Sequence, residues 1–229
     1  ALGSYADEIA DYRLDEYPPL EAQLIDRADE IADNSADLDD AFEARLLDTA
    51  ALRDEVPLAR ELLDAAEKAY PQATRKLQFN EALRGLINRL TTDLIEGTRR
   101  ALEAAHVDSV EAVRRHPKRL ADFSPEGAQQ NRELKQFLHR HLYSHPQILE
   151  DRERAVAVVE RLLEHYLAQP DRMPRQYFEQ TLPAARQGQT APVHRVACDY
   201  IAGMTDTYLL RVAAEALGPA EPSPAARPA

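Results

Sequence analysis

The stretch from Leu20 to Asp40, LEAQLIDRADEIADNSADLDD, constrains the fold most, because it carries two separate stripes at helical spacing. In the acidic stripe, Asp26, Asp29, Asp33 and Asp37 recur at steps of three, four and four, which stacks four carboxylates along one side of a helix. The other stripe is apolar and is expected to pack inward. Its members are Leu20, Leu24, Ala28, Ile31, Ser35 and Leu38.

The acidic stripe has two interpretations. Like charges stacked on a helix destabilise it by a few tenths of a kcal/mol per pair, so water, arginine side chains or a cation should offset them. Spacing alone is typical of a solvated acidic face. A face that helps to bind a metal ion is the alternative.

The remaining sequence predicts an all-α protein. Only 7 of the 229 residues are glycine, and the prolines stand mostly between segments of helical periodicity. We expect one compact helical domain over residues 20–217, preceded by an acidic connection at 1–19 and followed by a Pro/Ala-rich tail at 218–229. The expected helices cover residues 20–47, 57–70, 74–105, 110–116, 125–142, 151–169, 176–182 and 191–217.

Several buried positions are predicted within these helices. The helix at 74–105 is the expected central core helix, Cys198 is expected to fill the core, and Gly203 is expected to allow close approach of a neighbouring helix. The predicted core face of the central helix consists of Leu77, Leu83, Leu86, Ile87, Leu90, Leu94 and Ile95.

Charge and composition exclude several classes of protein. The formal net charge of −12 argues against non-specific nucleic-acid binding, which needs clustered Lys and Arg. A pocket can still be locally basic, and Arg84, Arg89, Arg99 and Arg100 offer such charge. The chain has one cysteine and no apolar run of 18 residues, so we expect neither an internal disulfide nor a membrane span, and a cytoplasmic location.

Three segments resemble one known family, in the same order along the chain. DRADEIADNSADLDD (26–40), FSPEGAQQNRELKQFLHRHLY (123–143) and VACDYIAGMTDTYLL (196–210) are similar to motifs of the deoxynucleoside triphosphate triphosphohydrolases, the dGTPase-like branch of the HD superfamily. The resemblance runs from about Leu20 to Leu217. It implies the C-terminal portion of an HD-superfamily helical bundle, in a hydrolase that releases deoxynucleoside and triphosphate.

The resemblance also implies a set of site residues. Family members hold one divalent metal, Mg²⁺ or Mn²⁺, with a His, a His-Asp dipeptide and a later Asp, which matches Asp29. Asp37 matches a carboxylate that contacts the substrate sugar, and Asp33 occupies the position of a family tyrosine near the nucleotide. Ala36 stands where some relatives have histidine, and Thr207 stands where the usual residue is arginine.

This sequence contains no His-Asp dipeptide. The resemblance therefore predicts the C-terminal half of the enzyme, which holds no metal alone and is inactive without the His/His-Asp half. The expected partners are deoxynucleoside triphosphates, that other half and further copies of the chain in a homo-oligomer. The alternative is a non-catalytic helical scaffold or oligomerisation module derived from the same family.

Overall fold

The computed structural model describes residues 9–182 and 192–218. These ranges contain ten α-helices and no strand, which confirms the all-α prediction. None of these helices is long and apolar enough to cross a membrane. The helices are α1 (Leu20–Glu43), α2 (Thr49–Glu55), α3 (Pro57–Ala69), α4 (Arg75–Ala105), α5 (Val110–Arg115), α6 (Pro125–Leu138), α7 (Pro146–Ala168), α8 (Arg175–Phe178), α9 (Val193–Ala202) and α10 (Asp206–Leu217).

The helices form two compact units. Unit 1 is Ala1–His145 and holds α1 to α6, whereas unit 2 is Pro146–Ala229 and holds α7 to α10. The division falls inside the range 20–217, for which the sequence analysis expects one domain. The predicted tail at 218–229 lies outside the described residues except for Gly218.

Side-chain caps set where several helices begin. The Ser124 hydroxyl accepts a hydrogen bond from the backbone amide of Gly127 at 3.1 Å, and Pro125 follows as the first residue of α6, as the sequence predicts. Asp48 accepts bonds from the amides of Ala50 and Ala51, which starts the short helix α2 that the sequence analysis missed. That helix is only 7 residues long, too short for a clear periodic signal.

Helix α4 is the core helix of unit 1, where it packs against α1, α3 and α6. Its buried row differs from the prediction, because Leu86, Leu90 and Leu94 are buried while neighbouring apolar residues are exposed. Adjacent residues lie about 100° apart around a helix, so a residue next to the buried row can already face solvent. The exposed residues of the predicted core face are Leu77, Ile87 and Ile95.

Unit 2 is built from α7, α9 and α10, and its core includes Leu162, Tyr166, Val196 and Tyr200. The predicted single helix at 191–217 is interrupted, because Gly203 ends α9 and a new helix starts at Asp206. A Cβ on Gly203 would have its nearest contacts, at 3.5 and 3.7 Å, in the glycine's own helix. The prediction that a neighbouring helix closely approaches Gly203 is therefore wrong.

The cysteine prediction is also wrong, because the structure exposes Cys198. Cys198 follows buried Ala197 in α9 and is rotated away from it around the helix axis. A residue one step from the buried row faces solvent for the reason given for α4.

Gly97 of α4 lies against the backbone of the segment before α6. A Cβ added there would lie 2.5 Å from the backbone oxygen of Asp122 and 2.7 Å from the backbone nitrogen of Ser124. Backbone atoms cannot move aside as a flexible side chain can. A second glycine of the same helix, Gly85, would place its Cβ 2.9 Å from the flexible end of Leu62.

Replacement of Gly97 by Ala should therefore lower the free energy of unfolding by about 2 kcal/mol, because overpacking outweighs the gain in helix propensity. Gly85→Ala is the matched control, and we expect it to be neutral or slightly stabilising. Urea denaturation of both variants measures the difference. Equal stability of the two variants would contradict the close approach of α4 to the segment before α6.

Candidate functional site

The rotation of α1 is fixed by a buried amide near its start. Gln23 is fully buried, and its side-chain nitrogen donates to the backbone oxygen of Pro18 at 2.8 Å. Its side-chain oxygen accepts hydrogen bonds from the amides of Leu120 and Ala121 at 2.9 and 3.2 Å. A buried amide that satisfies three backbone groups is costly to move, so α1 is tied to the segment before α6.

Further along α1, Glu30 joins the helix to α6. Its carboxylate accepts hydrogen bonds from Lys135 at 2.6 Å, Asn131 at 3.0 Å and Arg27 at 2.9 Å. Burial raises the pKa of Glu30, but the bonds from Lys135 and Arg27 outweigh burial, and the net effect lowers that pKa. Asn131 also accepts a bond from buried Asn34 at 3.1 Å. The side of α1 that faces α6 is therefore polar and charged.

The buried side of α1 differs from the predicted apolar stripe at Ala28 and includes two amides that the prediction omitted. Ala28, expected in the apolar stripe, is exposed, while Gln23 and Asn34 are buried. A purely apolar stripe overlooks amides that are buried because they bind backbone or other side chains. The other members of the predicted stripe are buried or half-buried: Leu20, Leu24, Ile31, Ser35 and Leu38.

The four aspartates of the acidic stripe have different surroundings. Asp26 forms an ion pair with Arg119 at 2.7 Å. Asp29 is exposed and has no hydrogen bond or ion pair with any residue in 9–182 or 192–218. Asp33, one turn later, is also exposed. Asp37 is half-buried and accepts a hydrogen bond from the hydroxyl of Tyr143.

Tyr143 is the site residue that the sequence analysis did not assign. It ends the π-helical turn His139–Tyr143 that extends α6, and such turns are often found at functional sites. Tyr143 is 43% exposed. Partial burial, the hydrogen bond to Asp37 and the charges of Asp37 and Asp33 raise its pKa to about 12. At neutral pH the phenol is therefore protonated and donates to Asp37. The tyrosine stands in the family-like segment 123–143, but no sequence signal predicts the wide turn.

The chemistry of Asp29 suits one ligand position on a hard divalent cation, because Mg²⁺ and Mn²⁺ bind carboxylate oxygen. Such a cation takes about six ligands. The part of the chain that the structure describes contains no group of three or more His, Cys, Asp or Glu side chains that could hold a metal ion. The exposed carboxylate of Asp29 therefore supplies one of the roughly six ligands that such a cation needs.

Three of the four arginines suggested for a locally basic pocket, Arg84, Arg89 and Arg99, are paired with glutamates. Arg89 lies 2.7 Å from Glu61, and Arg84 lies 3.1 Å from Glu81. Both partners are on α3 or α4, so neither arginine reaches the acidic stripe of α1. Exposed pairs of this kind contribute little to stability.

Unit 2 has a cleft of about 620 Å³ beside the third family-like segment. Tyr200 and Tyr208 of that segment line it with Tyr166, and the hydroxyls of Tyr200 and Tyr208 are 3.3 Å apart. Burial and its tyrosine neighbours raise the pKa of Tyr200. The buried members of this segment belong to the core of unit 2, whereas Thr207 is exposed.

Comparisons with known proteins support the family resemblance of the three segments. Residues 121–215 match the sequence model of the phosphohydrolase-associated domain. Curated proteins called deoxyguanosinetriphosphate triphosphohydrolase-like are 38% identical over 161 residues in Geobacter metallireducens and 36% identical over 155 residues in Geobacter sulfurreducens. The protein of that name from Nitrosomonas europaea is 35% identical over 163 residues.

These alignments cover most of this chain and a smaller part of each relative. They include 69%, 68% and 71% of this chain, but only 39%, 38% and 41% of the three relatives. The chain thus spans about two fifths of the length of the curated relatives it matches. With the phosphohydrolase-associated domain, these identities show that the chain is related to the deoxyguanosinetriphosphate triphosphohydrolase-like proteins.

Proposed function

We propose that this chain works as part of a metal-dependent triphosphohydrolase that splits a deoxynucleoside triphosphate into deoxynucleoside and triphosphate. The observation that carries the proposal is the relationship to proteins named for that activity, at 35–38% identity. The surroundings of the acidic stripe support it. One carboxylate, on Asp29, is free toward solvent, and another, on Asp37, is held by a hydroxyl.

In this proposal Asp29 is one ligand of the divalent metal, Mg²⁺ or Mn²⁺. A bound metal of this kind polarises a phosphoryl oxygen and lowers the pKa of bound water. The other ligands, a His and a His-Asp pair, belong to residues beyond the 229 of this chain. The chain by itself is then expected to be inactive.

Asp37 has the role of binding a hydroxyl of the deoxyribose. Its carboxylate can accept a hydrogen bond from a sugar hydroxyl while Tyr143 donates to it from the other side. Tyr143 is a positioning residue, because it acts on the substrate through Asp37. Asp33 lies near both groups, and its charge repels a triphosphate, so the sugar end of the substrate is the part that fits beside it.

We also propose that the complete protein is a cytoplasmic homo-oligomer. Exposed apolar side chains on α4, namely Leu77, Ile87 and Ile95, support self-association. The alternative, a scaffold without catalysis, is favoured by the carboxylate at position 33, where the family has a tyrosine. Variants of Asp29 distinguish the two functions.

Replacement of Asp29 by Ala in the full-length protein should lower the rate of triphosphate release at least 100-fold, because the metal loses a ligand. The midpoint of thermal unfolding without metal should stay within about 2 °C of wild type. The reason is that the Asp29 side chain forms no hydrogen bond or ion pair with another described residue. Triphosphate release and metal content measure the two effects.

Asp26→Ala is the matched control on the same stripe, where only the exposed ion pair to Arg119 is lost. It should keep wild-type turnover and metal content. Wild-type turnover in both variants, with metal still bound, would overturn the role of Asp29. A full-length protein that hydrolyses no deoxynucleoside triphosphate would favour the scaffold.

Tyr143→Phe in the full-length protein should raise KM for the deoxynucleoside triphosphate about 10-fold and leave kcat within about 2-fold, because Asp37 loses its donor. The ratio of the variant to the wild-type kcat/KM should be constant from pH 7 to 9, since the pKa of Tyr143 is about 12. Tyr70→Phe, at an exposed tyrosine, is the control. Unchanged KM in Tyr143→Phe would contradict the positioning role.

A further inference from the structure

A pocket lined by several cationic side chains lies at the C-terminal end of α1. It has a volume of about 380 Å³ and is located between the end of α1 and the starts of α2 and α4. Three of its seven lining side chains are cations and only one is a carboxylate. The lining residues are Phe42, Glu43, Arg45, Leu47, Thr49, Arg75 and Lys76.

Arg45 stands at a position that favours glycine. Its φ is 59°, in the left-handed region that follows many helix ends. A side chain costs about 1 kcal/mol in this conformation, which glycine adopts freely. The guanidinium offsets none of this cost, because it has no hydrogen bond or ion pair with any residue that the structure describes.

Arg75 also lacks a carboxylate partner among the described residues. Its guanidinium donates to the hydroxyl of Thr49 at 3.1 Å, on the opposite wall of the pocket. Other described arginines, such as Arg100 and Arg152, also have no carboxylate partner, but Arg45 and Arg75 line the same pocket. Lys76 pairs with Glu43, and this hydrogen bond raises the pKa of Lys76.

The position of the pocket on α4 adds to its positive potential. Arg75 and Lys76 are the first two residues of this 31-residue helix, and its first turn has no acidic residue. The start of a helix carries a partial positive charge, so cations there are unfavourable unless an anion is close. Glu43, already paired with Lys76, is the only carboxylate that lines the pocket.

We propose that this pocket binds the polyphosphate group of a small molecule. Arg45 and Arg75 each offer a planar fork of donors that matches phosphate oxygens, Thr49 adds a hydroxyl, and Lys76 adds a point charge. The volume is at the lower end of the range for small-molecule sites. A nucleic acid is the weaker candidate, because the surface around the pocket belongs to a chain of net charge −12.

Binding of sodium triphosphate to the 229-residue chain tests this assignment. Calorimetric titrations in low salt with a metal chelator should show one saturable site, with a deoxynucleoside triphosphate bound at least as tightly and the deoxynucleoside not bound. Arg45→Gly and Arg75→Gln should each weaken binding of triphosphate at least 10-fold. Arg45→Gly should unfold at the same or a higher temperature, because glycine relieves the left-handed strain.

Arg84→Gln removes one charge from an exposed arginine of the same helix that is not in the pocket, and it should weaken binding less than 2-fold. Four results would overturn the proposal: no saturable binding of triphosphate, equal losses in Arg84→Gln and Arg45→Gly, equal affinity for sulfate and triphosphate, or tighter binding of an oligonucleotide than of triphosphate. The test needs neither a divalent metal nor hydrolysis, so its outcome is independent of the proposed activity.

Discussion

The rotational setting of α1 is the constraint on which the rest of unit 1 depends. Gln23 holds three backbone groups, and Glu30 holds three donors that come from α6 and from its own helix. Both side chains are on the side of the helix that packs, so the acidic stripe is turned outward. Apolar contacts are not directional, whereas these hydrogen bonds are satisfied in one rotation of the helix about its axis.

The same setting explains how the aspartates of one stripe come to differ. All four lie along one side of the helix. Arg119 pairs with Asp26 and Tyr143 donates to Asp37, while Asp29 and Asp33 are exposed without such a partner among the described residues. The exposed carboxylate of Asp29 is suited to bind a cation, and the carboxylate of Asp37, which Tyr143 orients, is suited to bind a hydroxyl. The basic pocket at the end of α1 begins at Phe42, five residues beyond the last aspartate of this stripe.

Much of the fold could be predicted from the sequence, because helical periods and proline or serine starts are local signals. The start of α6 at Ser124 and Pro125 is an example. The burial of Gln23 and Asn34 on α1 could not be predicted, since their hydrogen-bond partners are 97 residues away in sequence. The π turn that ends at Tyr143 and the unpaired guanidinium of Arg45 likewise depend on tertiary structure. The resemblance pointed to Asp29 and Asp37. Only the structure shows that Tyr143 donates a hydrogen bond to Asp37 and that Asp29 is exposed.

Carboxyl footprinting of the 229-residue chain tests the setting of α1 most directly. A carbodiimide couples an amine to accessible carboxylates, and one tryptic peptide, residues 28–45, contains Asp29, Glu30 and Asp33. The structure predicts that Asp29 and Asp33 are modified at least 5-fold faster than Glu30, whose side chain is 17% exposed and bound by three donors. Modification of Glu30 as fast as that of Asp29 would contradict the outward acidic face.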